Sequence, residues 1–290
     1  MKKLIIFSVI GFLAQLVDGS LGMGFGATSS SLLLMFGIAP AAASASIHMA
    51  EIATTAASGA SHLWFKNVDK RILWKLTIPG SISAFIGAAF LSSLPGDKIK
   101  PFISIFLIVL GLYILIRFLF FNHSSKTQGS AISSKFLTPL GMVGGFFDAV
   151  GGGGWGPITA PVLIAKNGIS PKKVIGTVDT SEFAIAVSAT LGFILFLGVD
   201  QYQWQWVIAF MIGGVIAAPI AAWLVRIVPS YMLGVLVGGF IILTNSMTII
   251  KTVALPVSLA TLAYVLIIGL WAIAIFYQLK NRKRALAVHQ

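Results

Sequence analysis

Apolar runs occupy nearly the whole chain, and their lengths fall into two classes. Residues 73–94, 99–121, 171–199, 204–228, 229–250 and 253–278 are each long enough to predict a membrane-spanning helix, since about 20 mostly apolar residues cover a hydrocarbon core of about 30 Å. Runs 4–17 and 27–36 are shorter, covering roughly 20 and 15 Å at 1.5 Å per residue, and they flank a glycine-rich string. The short run 136–147 and the one beginning near Pro157 flank a second string. Each pair predicts two half-helices meeting at unwound backbone, which at membrane depth is tolerated only where protein or a cavity surrounds it. Residues 40–65 predict a long helix of another kind. Ser44, His48, Glu51, Thr55, Ser58 and His62 recur at steps of 3 and 4, which puts a polar stripe on one face of an otherwise Ala-, Ile- and Met-rich helix.

The order of runs repeats. Asp18, Gly22, Gly24, Phe25 and Gly26 align with Asp148, Gly152, Gly154, Trp155 and Gly156, and Gly37-Ile38-Ala39-Pro40 aligns with Gly168-Ile169-Ser170-Pro171 after a one-residue slip. In the long helices that follow, His48 falls on Asp179 and Glu51 on Glu182. The predicted organisation is a first transmembrane repeat over 1–121, a polar linker over 122–135, a second repeat over 136–250, and an extra helix with a basic tail over 251–290. The N-terminal run imitates a signal peptide, but its counterpart 136–147 lies mid-chain, so it is expected to be retained.

Composition agrees with a membrane chain. Of 290 residues 57% are hydrophobic and 10% charged, against about 25% charged in a soluble domain. The net charge of +12 reads as topology signal, with no nucleic-acid partner implied. Cysteine is absent, which excludes disulfides and thiolate chemistry. The four histidines are scattered, no HExxH, GxSxG or P-loop occurs, and no enzyme, cofactor or metal site is expected.

Basic residues also choose between topologies. If the glycine segments cross the membrane, Lys and Arg divide evenly between its sides. If they are re-entrant, Lys2, Lys3, Lys98, Lys100 and Lys251 share one side and every other Lys and Arg lies opposite, the skew that cytoplasmic loops carry. The expected fold is therefore an all-α polytopic membrane protein. It has two inverted repeats, each a re-entrant half-helix hairpin plus three transmembrane helices, and one extra C-terminal transmembrane helix, with the N-terminus outside and the C-terminus cytoplasmic.

Five of the eight acidic residues, Asp18, Glu51, Asp148, Asp179 and Glu182, fall in apolar segments, where an ionisable group costs about 2.5–3.5 kcal/mol or more. With His48 they are candidates for proton or ion coupling, against a bland reading as hydrogen bonds between helices. Asp18 and Asp148 have three open readings: acceptors for free amides, cation sites or proton sites. Gly22, Gly24, Gly26, Gly152, Gly154 and Gly156 lead into helix N-termini, where exposed amides favour an anion. Thr28 and Thr159 are candidate hydroxyl donors, and Phe25 and Trp155 candidate gates or packing groups. Close helix packing is the competing explanation of the glycines.

The duplicated pattern of Asp, glycine string, short helix, Gly-Ile-x-Pro and long helix over residues 5–250, most plainly in VGGGGWGPITAPVLIAKNGISPKKVIGT, resembles the TauE/SafE sulfite exporter family (TSUP). The resemblance implies a secondary transporter of sulfite or related sulfur oxyanions in the cytoplasmic membrane, a small anionic substrate and a lipid bilayer as its partners. An anion channel of the same fold, or a non-transporting assembly protein, are the alternatives.

Overall fold

The computed structural model describes residues 2–120, 132–165, 169–225 and 230–288. Eleven α-helices and one 3₁₀ turn make up these residues. The first five are α1 (Lys2–Leu21), α2 (Phe25–Met35), α3 (Pro40–Trp64), α4 (Lys70–Ser92) and α5 (Gly96–Phe120). The next five repeat them: α6 (Ser134–Gly151), α7 (Trp155–Ala165), α8 (Pro171–Phe196), α9 (Trp204–Leu224) and α10 (Ser230–Val253). The extra helix is α11 (Val257–Val288). Most of the expected linker, residues 122–131, lies outside the described residues.

Local chemistry places the helix starts. Pro40 and Pro171 occupy the first turn of α3 and α8, where a missing N–H costs nothing. The Asp69 carboxylate accepts from the amides of Arg71 and Ile72 at the start of α4. Gly37, at φ +89, turns the chain between α2 and α3.

Among the described residues seven helices are long and apolar enough to span a membrane: α1, α4, α5, α8, α9, α10 and α11. The number equals that expected, but the membership differs. The first apolar run was expected to be too short, yet α1 runs 20 residues, about 30 Å. Asp18, Gly19 and Ser20 interrupt the apolar pattern without breaking the backbone; the Ser20 hydroxyl donates to Leu16 O, and the helix ends only near Gly22 at φ +69. α6 likewise reaches Gly151. α2 and α7, at 11 residues, span only about 16 Å. α3 has the length to span, but its polar stripe keeps it out of the apolar set.

The packing pairs the two halves. α1 lies along α9 and α6 along α4; α3 packs on α8 and α9, α8 on α3 and α4, and α5 on α10. Exchanging α1–α5 with α6–α10 maps this set onto itself. The outer surface repeats as well. Ile78, Ile82 and Ile86 form an exposed stripe on α4, and Ile212, Ile216 and Ile220 form its counterpart on α9. Apolar stripes of this size are unfavourable in water and suited to lipid. α11 rests mainly on α10, with only 6% of its apolar window buried.

Candidate functional site

The two glycine loops meet at the centre. A methyl group on Gly153 would stand 1.9 Å from Ala27 N, one on Gly156 would stand 2.3 Å from Gly22 O, and one on Gly26 would stand 2.7 Å from Gly153 Cα. Backbone lies against backbone, so close packing alone requires glycine at these three positions. The Ser30 hydroxyl donates across the contact to Gly152 O at 2.5 Å.

The amides of the second loop are already engaged. Gly152 N and Gly153 N donate to the Asp148 carbonyl at 2.7 and 3.1 Å. Gly154 N and Trp155 N donate to Asp148 Oδ1 at 2.8 and 2.9 Å. In the first loop, Gly22 N donates to Asp18 O and Phe25 N to Asp18 Oδ1, the latter at 3.3 Å. Of the three readings left open for the aspartates, amide acceptance is the one seen. The anion at the start of α7 is the protein's own carboxylate, which corrects the expectation that the glycine amides there stand free.

Phe25 and Trp155 are fully buried. Trp155 Nε1 donates to Val178 O and Ser181 Oγ on α8, and Phe25 packs edge-on against Phe210 of α9. Both wedge their loops into the long helices. Thr159 Oγ1 donates to Trp155 O one turn back, whereas Thr28 Oγ1 is buried without a partner.

Around the loops stand two clusters, each built from both halves. His48 and Glu51 of α3 meet Asp148 from the end of α6; Asp179 and Glu182 of α8 meet Asp18 near the end of α1. Within each cluster the facing N and O atoms lie within 4.8 Å of one another. Glu51 and Glu182 occupy the middle turns of their helices, so α1 and α6 end at mid-depth of the bundle. All six groups are at most 3% exposed, and the centre is closed to both sides.

His48 Nδ1 lies 2.8 Å from Ser44 O, an acceptor, so Nδ1 carries a hydrogen. His48 Nε2 and Asp148 Oδ2, 3.0 Å apart, then share a further proton. In the other cluster Ser58 Oγ donates to Asp179 Oδ2 at 2.5 Å, and His62 Nε2 stands 3.5 Å from the same oxygen. His62 and Ser58 belong to the polar stripe but were given no role from sequence, because their partner is distant in the chain. Both Glu51 oxygens, Asp18 Oδ2, Asp179 Oδ1 and Glu182 Oε2 are buried without hydrogen-bond partners. Five carboxyl groups thus face two imidazoles. Ionised together they would leave uncompensated buried charge, which is costly. Either cluster offers three ligand atoms to a cation, all of them oxygens around Asp18.

A helical membrane protein with interrupted helices and ionisable groups at mid-depth has the architecture of a transporter. Residues 7–248 match the sulfite exporter TauE/SafE pattern, and the chain belongs to that family of membrane transporters. It is also 56% identical over 296 residues to the probable membrane transporter protein YtnM of Bacillus subtilis (strain 168), covering 100% of this chain and 99% of that protein. No solved structure matches the chain.

Proposed function

We infer that the protein is a secondary carrier of sulfite or related sulfur oxyanions, driven by protons taken up at the two central clusters. The observation that carries this reading is the set of buried carboxyl oxygens without hydrogen-bond partners, above all both oxygens of Glu51, which has only His48 Nε2 at 4.0 Å. An ionised carboxylate repels an oxyanion, whereas a protonated one donates a hydrogen bond to it. Protonation of Glu51, Glu182 and Asp18 would turn a repelling centre into a receiving one, so that anion binding and proton uptake become a single event. Deprotonation on the other side would expel the anion. Thr28, whose hydroxyl is buried without a hydrogen-bond partner, adds a donor.

The crossed clusters and the exchange symmetry of the packing support two inverted repeats over 1–121 and 136–250. Re-entrant arms α1–α2 and α6–α7 would move against α3 and α8 to open one side at a time. In this arrangement the N-terminus faces outward and the basic tail lies in the cytoplasm. A channel reading would leave the acids as structural contacts. Purified protein in liposomes separates the two: a carrier gives labelled-sulfite uptake that saturates and is driven by a pH gradient, and non-saturating flux indifferent to pH would reject the proposal.

A further inference from the structure

The central clusters contain no Lys or Arg, yet a fully hydrated oxyanion must be drawn out of water before it reaches them. A second polar feature lies at one end of the bundle. A cavity of about 340 Å³ opens where α2 ends, lined by Leu34, Met35, Lys100 of α5, and Thr248, Lys251 and Thr252 of α10. Two lysines and two threonines thus line one concave site; the threonine hydroxyls donate to Thr244 O and Thr248 O of their own helix and keep their lone pairs.

The helix ends nearby do not account for the lysines. A cation near a helix C-terminus often serves its last carbonyls. Here Leu32 O, Leu33 O and Leu34 O of α2 already accept from Phe36, Ile38 and Gly37, and Ile250 O and Lys251 O of α10 accept from Leu255 and Ala254. Neither lysine forms an ion pair among the described residues. Asp97, exposed in the first turn of α5, is the acidic group near Lys100.

From this cavity a polar file leads inward. Thr252, Thr248 and Asn245 follow at steps of 4 and 3 along one face of α10. Asn245 is fully buried and its Nδ2 donates to Ser31 Oγ of α2 at 2.6 Å. Ser30, adjacent on α2, bonds the second glycine loop through Gly152 O. Asn245 Oδ1 and, one turn before Ser31 on α2, Thr28 Oγ1 are buried without hydrogen-bond partners, as expected of groups that serve a passing solute. The feature is one-sided. α2 carries Thr28, Ser29, Ser30 and Ser31 and packs on α10, whereas its counterpart α7 carries Ile158, Thr159, Ala160 and Pro161 there and has no comparable packing on α5 among the described residues.

We propose that Lys100 and Lys251 form the entrance that captures a small free oxyanion, and that the anion travels between α2 and α10 past Thr248 and Asn245 to the glycine loops. The proposal rests on the carrier reading for what the path delivers to, but its mouth is testable without transport.

The chain lacks cysteine, so Thr252→Cys and Asn245→Cys in the full-length protein, reconstituted in phosphatidylcholine vesicles, give single reporters. Their modification by an anionic sulfonate-bearing thiosulfonate reagent is compared with that by a cationic one. A positive mouth should favour the anionic reagent by about 10-fold at low salt. Lys100→Gln with Lys251→Gln should bring the ratio near unity, and arginine at both positions should keep it. The ratio cancels any change in thiol acidity, which acts on both reagents alike. Sulfite should slow modification of Asn245→Cys beyond the slowing it causes for a free thiol in the same vesicles, the control for its own reaction with the thiosulfonate and with the mixed disulfide.

Equal rates for the two reagents with both lysines present would overturn the entrance. Anionic preference without sulfite protection would keep the entrance and remove sulfite as its occupant. If phosphatidylglycerol vesicles block the reporters without sulfite, and sulfite does not protect in phosphatidylcholine, the site holds a lipid headgroup and the proposal falls. Absence of sulfite transport together with a lysine-dependent ratio would count against the carrier reading alone.

Discussion

Asp148→Ala is expected to be among the most damaging single changes in the protein, and the structure says by how much. Asp148 Oδ1 is the acceptor for Gly154 N and Trp155 N, and Oδ2 is paired with His48 Nε2. All lie in the closed centre, where water cannot take over. Each buried donor left without an acceptor costs about 1–3 kcal/mol, so the two amides alone cost about 2–6 kcal/mol. That approaches the whole stability of a typical domain, about 5–15 kcal/mol. Asp148→Asn keeps one carbonyl oxygen for the amides and loses only the charge facing His48, so it should fall between wild type and Asp148→Ala. Asp18→Ala removes one amide bond, a longer one of 3.3 Å from Phe25 N, and that loss should cost about 1 kcal/mol. Unfolding of the purified proteins in mild detergent, titrated with a denaturing detergent and followed by circular dichroism, gives the order directly. An Asp148→Ala protein within 1 kcal/mol of wild type, on this scale of about 1–3 kcal/mol per orphaned donor, would refute the reasoning.

Other expectations can be checked as simply. Gly153→Ala meets backbone at 1.9 Å and a φ of +152, so strain and overpacking together should cost more than about 3 kcal/mol; Gly37→Ala, at φ +89 with nothing within 4 Å, should cost only about 1–2 kcal/mol in the same unfolding assay. Cysteines placed at Ile38 and Ile169 should react with impermeant reagents from opposite sides of the membrane; reaction from the same side would exclude inverted repeats. Trp155→Phe removes the donor to Val178 O and Ser181 Oγ and should lower stability by about 1 kcal/mol while leaving sulfite affinity unchanged, since the ring fills a packed wedge; a large loss of affinity with full stability would return it to the substrate site.

Most of the fold could be read from the sequence because duplication repeats its signals. The glycine strings, the Gly-Ile-x-Pro turns and the acids at matched places defined the order α1–α5 and α6–α10 before any coordinates. Helix length at α1 was misjudged because an apolar run and a helix end for different reasons: polar Asp18, Gly19 and Ser20 end the run, while the backbone continues until Gly22 permits a left-handed turn. The crossing of His48 and Glu51 with Asp148, and of Asp18 with Asp179 and Glu182, is a tertiary fact with no local signature. The engagement of the loop amides by Asp148 was also open in the sequence, since spacing alone allows the carboxylate to cap, to titrate or to bind a cation. Asn245 had no role in the sequence, and Lys251 only a topological one, because α10 reads as an ordinary apolar span whose few polar positions gain meaning only from α2 beside them.

Central to the account is that anion and proton move together because the same buried acids serve both. Vesicles containing the protein and an internal pH indicator, at equal pH on both sides and with membrane potential clamped, test this when sulfite is added outside and the signal of protein-free vesicles is subtracted. Wild type should acidify the interior with a saturable dependence on sulfite. Glu51→Gln with Glu182→Gln should still exchange labelled sulfite across the membrane while moving no protons. Proton movement in the double variant equal to that of wild type, or none in wild type despite sulfite uptake, would contradict the account.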